Sequence, residues 1–191
     1  MKNKPLIILI VIAILAFLPL IIQNMSNTTK NDQVLTDNTV DTMVEVETTL
    51  GKFTLQIYTK TMPITGGNFV KLVEEKFYDG IIFHRVIPGF MVQGGDPTGT
   101  GMGGPGYKIK DEFTANNSNN IGTISMANSG PNTGGSQFFI NVANNNYLDT
   151  KHPVFGKVVE GYDIVEKISN VPTDADDRPL DEVKIISAKV K

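Results

Sequence analysis

Whatever chemistry this 191-residue chain performs is done without cysteine and with only two histidines, His84 and His152. Thiol nucleophiles, thiolate zinc sites, disulfide scaffolds and lipid attachment through cysteine are all excluded, and two isolated imidazoles do not make a zinc centre. Two patterns imitate known motifs. Gly99-Thr100-Gly101-Met102-Gly103-Gly104 fits the dinucleotide signature G-x-G-x-x-G, but Pro105-Gly106 and an alternating strand follow it where a helix must begin. Gly134-Gly135-Ser136, with His152 and Asp149 as partners, suggests a serine hydrolase but lacks the nucleophile-elbow spacing and its strand-turn-helix context. The densest group of useful side chains is the run 83–96, FHRVIPGFMVQGGD, which holds Arg85, Phe90, Met91 and Gln93. A guanidinium is charged at any working pH and offers several donors in a rigid plane. Taken alone, Arg85 in a strand reads as a surface charge, and Phe90 and Met91 read as core. The pair Phe138-Phe139 is more telling, because neighbours on a strand point to opposite faces. One ring fills the core and the other stands outside beside Gln137, where an exposed aromatic implies a ligand groove.

The elements that must position these residues are mostly strands. Val44 and Val46, then Phe53, Leu55 and Ile57, alternate with polar residues around a turn at Leu50-Gly51-Lys52, which predicts a β-hairpin. Pro63 followed by Phe69, Leu72, Val73 and Phe77 at helical spacing predicts an amphipathic helix that stops at Asp79-Gly80. Short strand-like runs follow at 81–86, 90–93, 107–109, 121–126, 137–142 and 154–158, then a short helix over 161–169 and a last strand over 183–190. About eight strands with only two helices predict a mainly β fold, a closed eight-stranded antiparallel barrel capped by two α-helices.

A different segment precedes this unit. Residues 5–22 form an 18-residue run without a charge, behind Lys2 and Lys4. The run is at the short end of what spans a hydrocarbon core of ~30 Å, and it predicts a single N-terminal hydrophobic helix. Residues 1–22 are therefore read as a membrane anchor or signal sequence. Signal cores are usually about 7 to 15 residues long and end at a small-x-small cleavage site. This run is longer and ends in Leu20, Ile21 and Ile22, which favours an uncleaved anchor, with cleaved secretion as the alternative. Two lysines before the run and none close after it put the N-terminus in the cytoplasm and the rest of the chain outside. Residues 23–42, rich in Asn, Thr, Asp and Ser, cannot bury enough apolar surface to fold alone and read as a flexible linker. Residues 43–191 then make one domain. The formal charge of -3 is interspersed without a basic block, so nucleic acid is not an expected partner.

Four motifs, the run 83–96, Ile124-Ser125-Met126-Ala127-Asn128, Gly134-Gly135-Ser136-Gln137-Phe138-Phe139-Ile140 and the run 147–156, YLDTKHPVFG, together resemble the cyclophilin-type peptidyl-prolyl cis-trans isomerases from residue 43 to 191. The resemblance implies a cyclophilin-like barrel with an outer groove that holds a proline-containing polypeptide and isomerises its X-Pro bond, as a monomer and with neither cofactor nor metal. It implies Arg85, Phe90, Gln93 and His152 as catalytic residues and Met91, Ala127, Asn128, Gln137, Phe139, Tyr147 and Leu148 as substrate-binding residues. Together with the expected anchor, it points to a folding role for exported or membrane-proximal proteins, the alternative being a Pro-peptide-binding module or holdase with incidental catalysis. Tyr147 stands where the family often has tryptophan, so weak cyclosporin binding is expected.

Overall fold

The computed structural model describes residues 41–191. The hydrophobic run 5–22 and nearly all of the expected linker lie outside the described residues. Among the described residues, no helix is long and apolar enough to cross a membrane.

The fold opens with the expected hairpin, β1 (Thr42–Thr48) and β2 (Gly51–Ile57), closed by Thr49-Leu50 in register Thr48↔Gly51. The Thr48 hydroxyl donates to the Gly51 carbonyl at 2.8 Å and accepts from the Leu50 N–H at 3.2 Å, so the turn is held by its own side chain. Alternation then buries Val44, Val46, Phe53, Leu55 and Ile57 together.

Helix α1 (Thr65–Glu74) has no acid in its first turn. Its exposed N–H groups are met from elsewhere: the Glu112 carboxylate accepts from Ile64 and Thr65 at 3.0 and 2.9 Å. The helix stops short of Asp79-Gly80. Lys76 takes a left-handed φ of 56°, and the N–H groups of Lys76 and Phe77 return to Val73 and Leu72 at 3.0 and 2.9 Å, a C-terminal wrap of the type usually built on glycine. Phe77 thus lies beyond the helix.

Strands β3 (Arg85–Ile87), β4 (Met91–Gly94), β5 (Thr123–Met126), β6 (Phe138–Asn141), β7 (Val154–Glu160) and β8 (Ile185–Val190), with helix α2 (Tyr162–Ser169), complete the fold. One eight-stranded antiparallel sheet runs in the order β3-β4-β6-β5-β7-β2-β1-β8. The sheet is a half-barrel and not the closed barrel expected. Its edge strands share no ladder because β3 is only three residues long and its outer edge is taken: the Val86 N–H donates to the Asp177 carbonyl at 2.8 Å. The two ends meet only just before β3, at the isolated bridge Ile82↔Lys184. The strand expected over 107–109 likewise reduces to one bridge, Ile109↔Gly134.

The core lies between the concave sheet and the helices. Phe69 packs at 5.0, 5.5 and 5.3 Å on Tyr78, Phe138 and Phe155, offset and edge-on geometries that add to burial. The same cluster steers the approach to β6. The buried Tyr78 hydroxyl donates to the Ser136 carbonyl at 3.1 Å, and Asn68 on α1 donates to the Gly135 carbonyl at 2.8 Å. Gly95 faces this segment with φ +86°, and a Cβ there would fall on the Ser136 carbonyl oxygen and the Gln137 backbone. Gly95→Ala is therefore expected to destabilise the fold by at least about 2 kcal/mol, measured by urea unfolding. A wild-type midpoint would show that β4 and β6 do not need this close approach.

Candidate active site

Cross-strand register builds one wall of the site. Arg85 pairs with Gln93, Gln93 with Phe139, and Phe139 with Ser125, so these side chains form a row on the outer face of β3, β4, β6 and β5. The neighbouring row, Val86, Val92, Ile140 and Ile124, points into the core. Phe138 and Phe139 divide as the alternation requires. Phe138 packs edge-on against Phe69, Tyr78 and Phe83, whereas Phe139 sits edge-on to His152 at 5.4 Å. Phe139 is nonetheless only 5% exposed, because the walls around it make it a floor and not a free surface aromatic.

A cavity of about 270 Å³ lies over this floor. Its lining brings together nine of the eleven predicted site residues: Arg85, Phe90, Met91, Gln93 and Phe139 from the β3-β4-β6 side, and Ala127, Asn128, Leu148 and His152 from the opposite wall. Two predicted residues stand apart. Tyr147 is 68% exposed and stacks on Phe90 at 6.4 Å without lining the cavity. Gln137 lines an adjoining concavity of about 490 Å³ with Met102, Tyr107, Lys108 and Thr133.

Hydrogen bonds fix what each polar group can offer. Gln137 Nε2 donates to the carbonyls of Gly101 and Gly103 at 2.9 and 2.8 Å, which orients its Oε1 to accept from Gln93 Nε2 at 3.0 Å. Among the described residues, Gln93 is left with its carbonyl oxygen and its second amide hydrogen free. The Asn128 amide donates to the Lys151 carbonyl at 2.8 Å and accepts from the Gly130 N–H at 3.2 Å, so this side chain is held against the cavity wall. His152 lies with Nδ1 3.0 Å from the Met126 carbonyl. The carbonyl contact calls for a proton on Nδ1, whereas the 3.4 Å contact of the same nitrogen with the Asn128 amide Nδ2 calls for a bare lone pair. The Arg85 Nε–H donates to Asp177 Oδ2 at 3.2 Å, and among the described residues its two terminal nitrogens have no partner.

Two carboxylates, Asp149 and Asp96, organise the site in roles that the sequence reading did not assign to them. Asp149 accepts from the N–H and side-chain amide of Asn119 at 2.6 and 3.0 Å, and Asn119 in turn accepts from the Ser125 hydroxyl at 2.7 Å behind the floor. Asp96, only 1% exposed, accepts from the N–H groups of Thr98, Thr100, Gly101 and Gly103 and from the Thr98 hydroxyl. Burial alone pushes its carboxyl up, but the bonds from Thr98, Gly103 and Gly101 outweigh it and hold the pKa down at about 2. The legible signal was an aspartate followed at once by a Thr- and Gly-rich loop. This knot also disposes of the dinucleotide pattern, since Asp96 already occupies the N–H groups that would cradle a phosphate. The hydrolase reading falls as well: the Ser136 hydroxyl is buried and donates to the Gly95 carbonyl at 2.6 Å. His84 packs against the same loop with neither ring nitrogen partnered among the described residues. Burial, with lesser contributions from Arg178 and Arg85, holds its pKa below the ordinary value, although Asp96 pulls it up.

Comparison with known proteins agrees with this geometry. A family model described as cyclophilin type peptidyl-prolyl cis-trans isomerase/CLD matches residues 43–190. The chain is 50% identical over 153 residues to peptidyl-prolyl cis-trans isomerase-like 1 of Neurospora crassa, covering 78% of this chain and 94% of that one. It is 49% identical over 149 residues to a peptidyl-prolyl cis-trans isomerase of Schizosaccharomyces pombe, covering 76% and 96%. Among solved structures, a cyclophilin type isomerase of Cryptosporidium parvum superposes with a TM-score of 0.77 at 34% identity, covering 79% of this chain and 98% of that one. Its crystal structure in the presence of the dipeptide Ala-Pro gives 0.75 at 34% identity, covering 78% and 98%.

The Asp96 knot has a pH signature. A folded pKa of about 2 lies below the ordinary 3.8, so the carboxylate stabilises the fold fully above about 3.8 and loses that contribution as pH falls through about 2. Asp96→Asn is expected to cost at least about 2 kcal/mol at pH 7, with the gap to wild type narrowing below pH 4 in urea titrations. A gap that stays constant down to pH 2 would mean the charge is not what holds the loop.

Proposed function

This chain belongs to the cyclophilin-type peptidyl-prolyl cis-trans isomerases and is an isomerase, and we propose that it turns X-Pro bonds by seating the proline ring on the cavity floor while the free end of Arg85 binds the twisted amide. The observation that carries this reading is the lining itself: a guanidinium with unpartnered terminal nitrogens shares one cavity of about 270 Å³ with Met91, Phe139 and Leu148.

No bond breaks in this reaction. Rotation faces ~18–20 kcal/mol of lost amide resonance and takes tens to hundreds of seconds unaided. As the bond twists, the proline nitrogen recovers a localised lone pair and the carbonyl swings round. A donor fixed beside these atoms binds the twisted state more tightly than either planar one. A charge-assisted hydrogen bond from Arg85 supplies about 1.5–3 kcal/mol of that difference. Burying the ring's methylenes at about 0.8 kcal/mol each holds one side of the bond still. Gln93, pinned by Gln137, presents its oxygen to a peptide N–H. Ala127, Asn128 and His152 wall the opposite side. Holding the flanking backbone while one peptide group turns is positional catalysis.

The proposed clients are proline-containing segments of exported chains near the outer membrane surface. The support is the charge-free run 5–22 behind Lys2 and Lys4, read as an anchor with the N-terminus inside. A tether of about 20 residues, of the composition that the sequence reading takes as flexible, would reach ~25 Å.

Arg85→Ala is expected to lower kcat/KM on an Ala-Pro-containing peptide about 10- to 100-fold, with peptide affinity changed less than about 3-fold. Affinity and kcat/KM falling by the same factor would mean that Arg85 binds the planar and the twisted amide alike, and would overturn its proposed role. Protease added to intact cells is expected to remove the domain while a cytoplasmic protein survives. Cleavage of the domain only after lysis would overturn the exported placement.

A further inference from the structure

Arg85 is a long side chain at the edge of the sheet, 45% exposed, and nothing in β3 itself fixes where its guanidinium points. A free arginine there samples many rotamers and presents its donors only part of the time. The constraint comes from a turn far away in sequence. Residues 173–179 are pinched by the bridge Thr173↔Pro179. Inside the turn, Asp174 Oδ1 accepts from the N–H groups of Asp176 and Arg178, both at 2.9 Å. Asp177 adopts a left-handed φ of 63°, uncommon for a residue with a Cβ although Asp and Asn tolerate it better than most.

Three contacts show what that conformation achieves. The Asp177 carbonyl accepts from the Val86 N–H at 2.8 Å, docking the turn onto β3 directly beside Arg85. Its carboxylate takes the Arg85 Nε–H at 3.2 Å. The next residue, Arg178, donates from Nη1 to the Gly99 carbonyl at 2.7 Å, inside the Asp96 knot. One turn therefore braces both the arginine and the loop that, through Gln137, orients Gln93. The Arg85 contact runs through Nε, so it fixes the plane of the guanidinium without consuming the terminal donors.

We propose that Asp177 is a positioning residue for isomerisation: by holding Nε it keeps the two terminal nitrogens of Arg85 aimed over the cavity floor. The proposal rests on Arg85 acting on the twisted amide, as above. An ion pair this exposed contributes little to stability, so its role is separable from folding. Its effect falls on the transition state, where alignment matters, more than on ground-state binding.

Asp177→Gly removes the carboxylate while accepting the positive φ; Asp177→Asn keeps an oxygen acceptor without the charge. Asp177→Gly is expected to lower kcat about 10-fold with KM within about 2-fold and the thermal midpoint near wild type. Asp177→Asn is expected to recover part of the loss. In an Arg85→Ala background, Asp177→Gly should cost nothing further, since residues acting as one unit are non-additive. The NMR order parameter of the Arg85 Nε–H should fall in Asp177→Gly without added peptide. A wild-type kcat in Asp177→Gly, an equal loss in the Arg85→Ala background, or a rate loss that tracks a lower thermal midpoint would each overturn the proposal. If Arg85→Ala itself keeps full activity, the role of Arg85 falls and the proposal with it. If Arg85→Ala is impaired and Asp177→Gly is not, only the proposal falls.

Discussion

The register of β4 against β6 is the constraint on which the rest of the molecule depends. Gln93 faces Phe139, and Val92 faces Ile140. In a sheet of period 2, a slip of β4 by one residue against β6 would turn Gln93, and Arg85 paired with it, toward the core and leave Val92 on the groove face, while Ile140 and Phe139 kept theirs. Register is held by what lies on either side of it. Phe138, locked among Phe69, Tyr78 and Phe83, can fill the core in only one alignment. The Gly95 and Ser136 backbones approach so closely that only one pairing fits. Core packing and groove geometry are thus two faces of the same alignment.

The polar wiring follows from burial. Asp96, Ser125, Asn119 and Asn141 are almost completely shielded from water, and a buried polar group without a partner costs more than a hydrogen bond returns. Each is satisfied by several bonds, and those bonds hold the irregular segments that carry the site. Asp96 gathers the 98–103 loop, the loop's carbonyls hold Gln137, and Gln137 holds Gln93. Asp149 and Asn119 do the same behind the opposite wall. A groove that must grip a peptide while one bond turns needs walls that do not yield, and networks with every member satisfied provide that rigidity.

The open seam of the half-barrel belongs to the same scheme. A short β3 leaves its outer edge without a strand partner, and the 173–179 turn fills the gap by taking the Val86 N–H. Closing the barrel with a regular strand would have paired that edge but left no route for a carboxylate to reach Arg85 Nε. The irregularity of the sheet lies next to the residue whose side-chain direction matters most.

How much was legible beforehand can be read from particular residues. The hairpin at Val44 to Ile57 and the opposite faces of Phe138 and Phe139 rest on alternation, which the sequence carries in full, whereas the nine residues that share one cavity were named through the resemblance of four motifs to a known family. The sequence also excluded thiol chemistry, because it has no cysteine. Tertiary structure alone decided the rest, because each remaining item joins segments distant in the chain. Glu112 caps α1 across 48 residues and Asp177 meets Arg85 across 92, and no periodicity encodes such pairings. The half-barrel replaced the closed barrel because strand counts do not reveal which edge hydrogen bonds a loop takes. The Asn128 side chain bonds the Lys151 carbonyl and Gln137 those of Gly101 and Gly103, because an amide's partners are set by whichever carbonyls the fold brings within 3 Å. Composition and alternation determined which residues stand where on each strand; only the folded chain determined which of their polar atoms remain free.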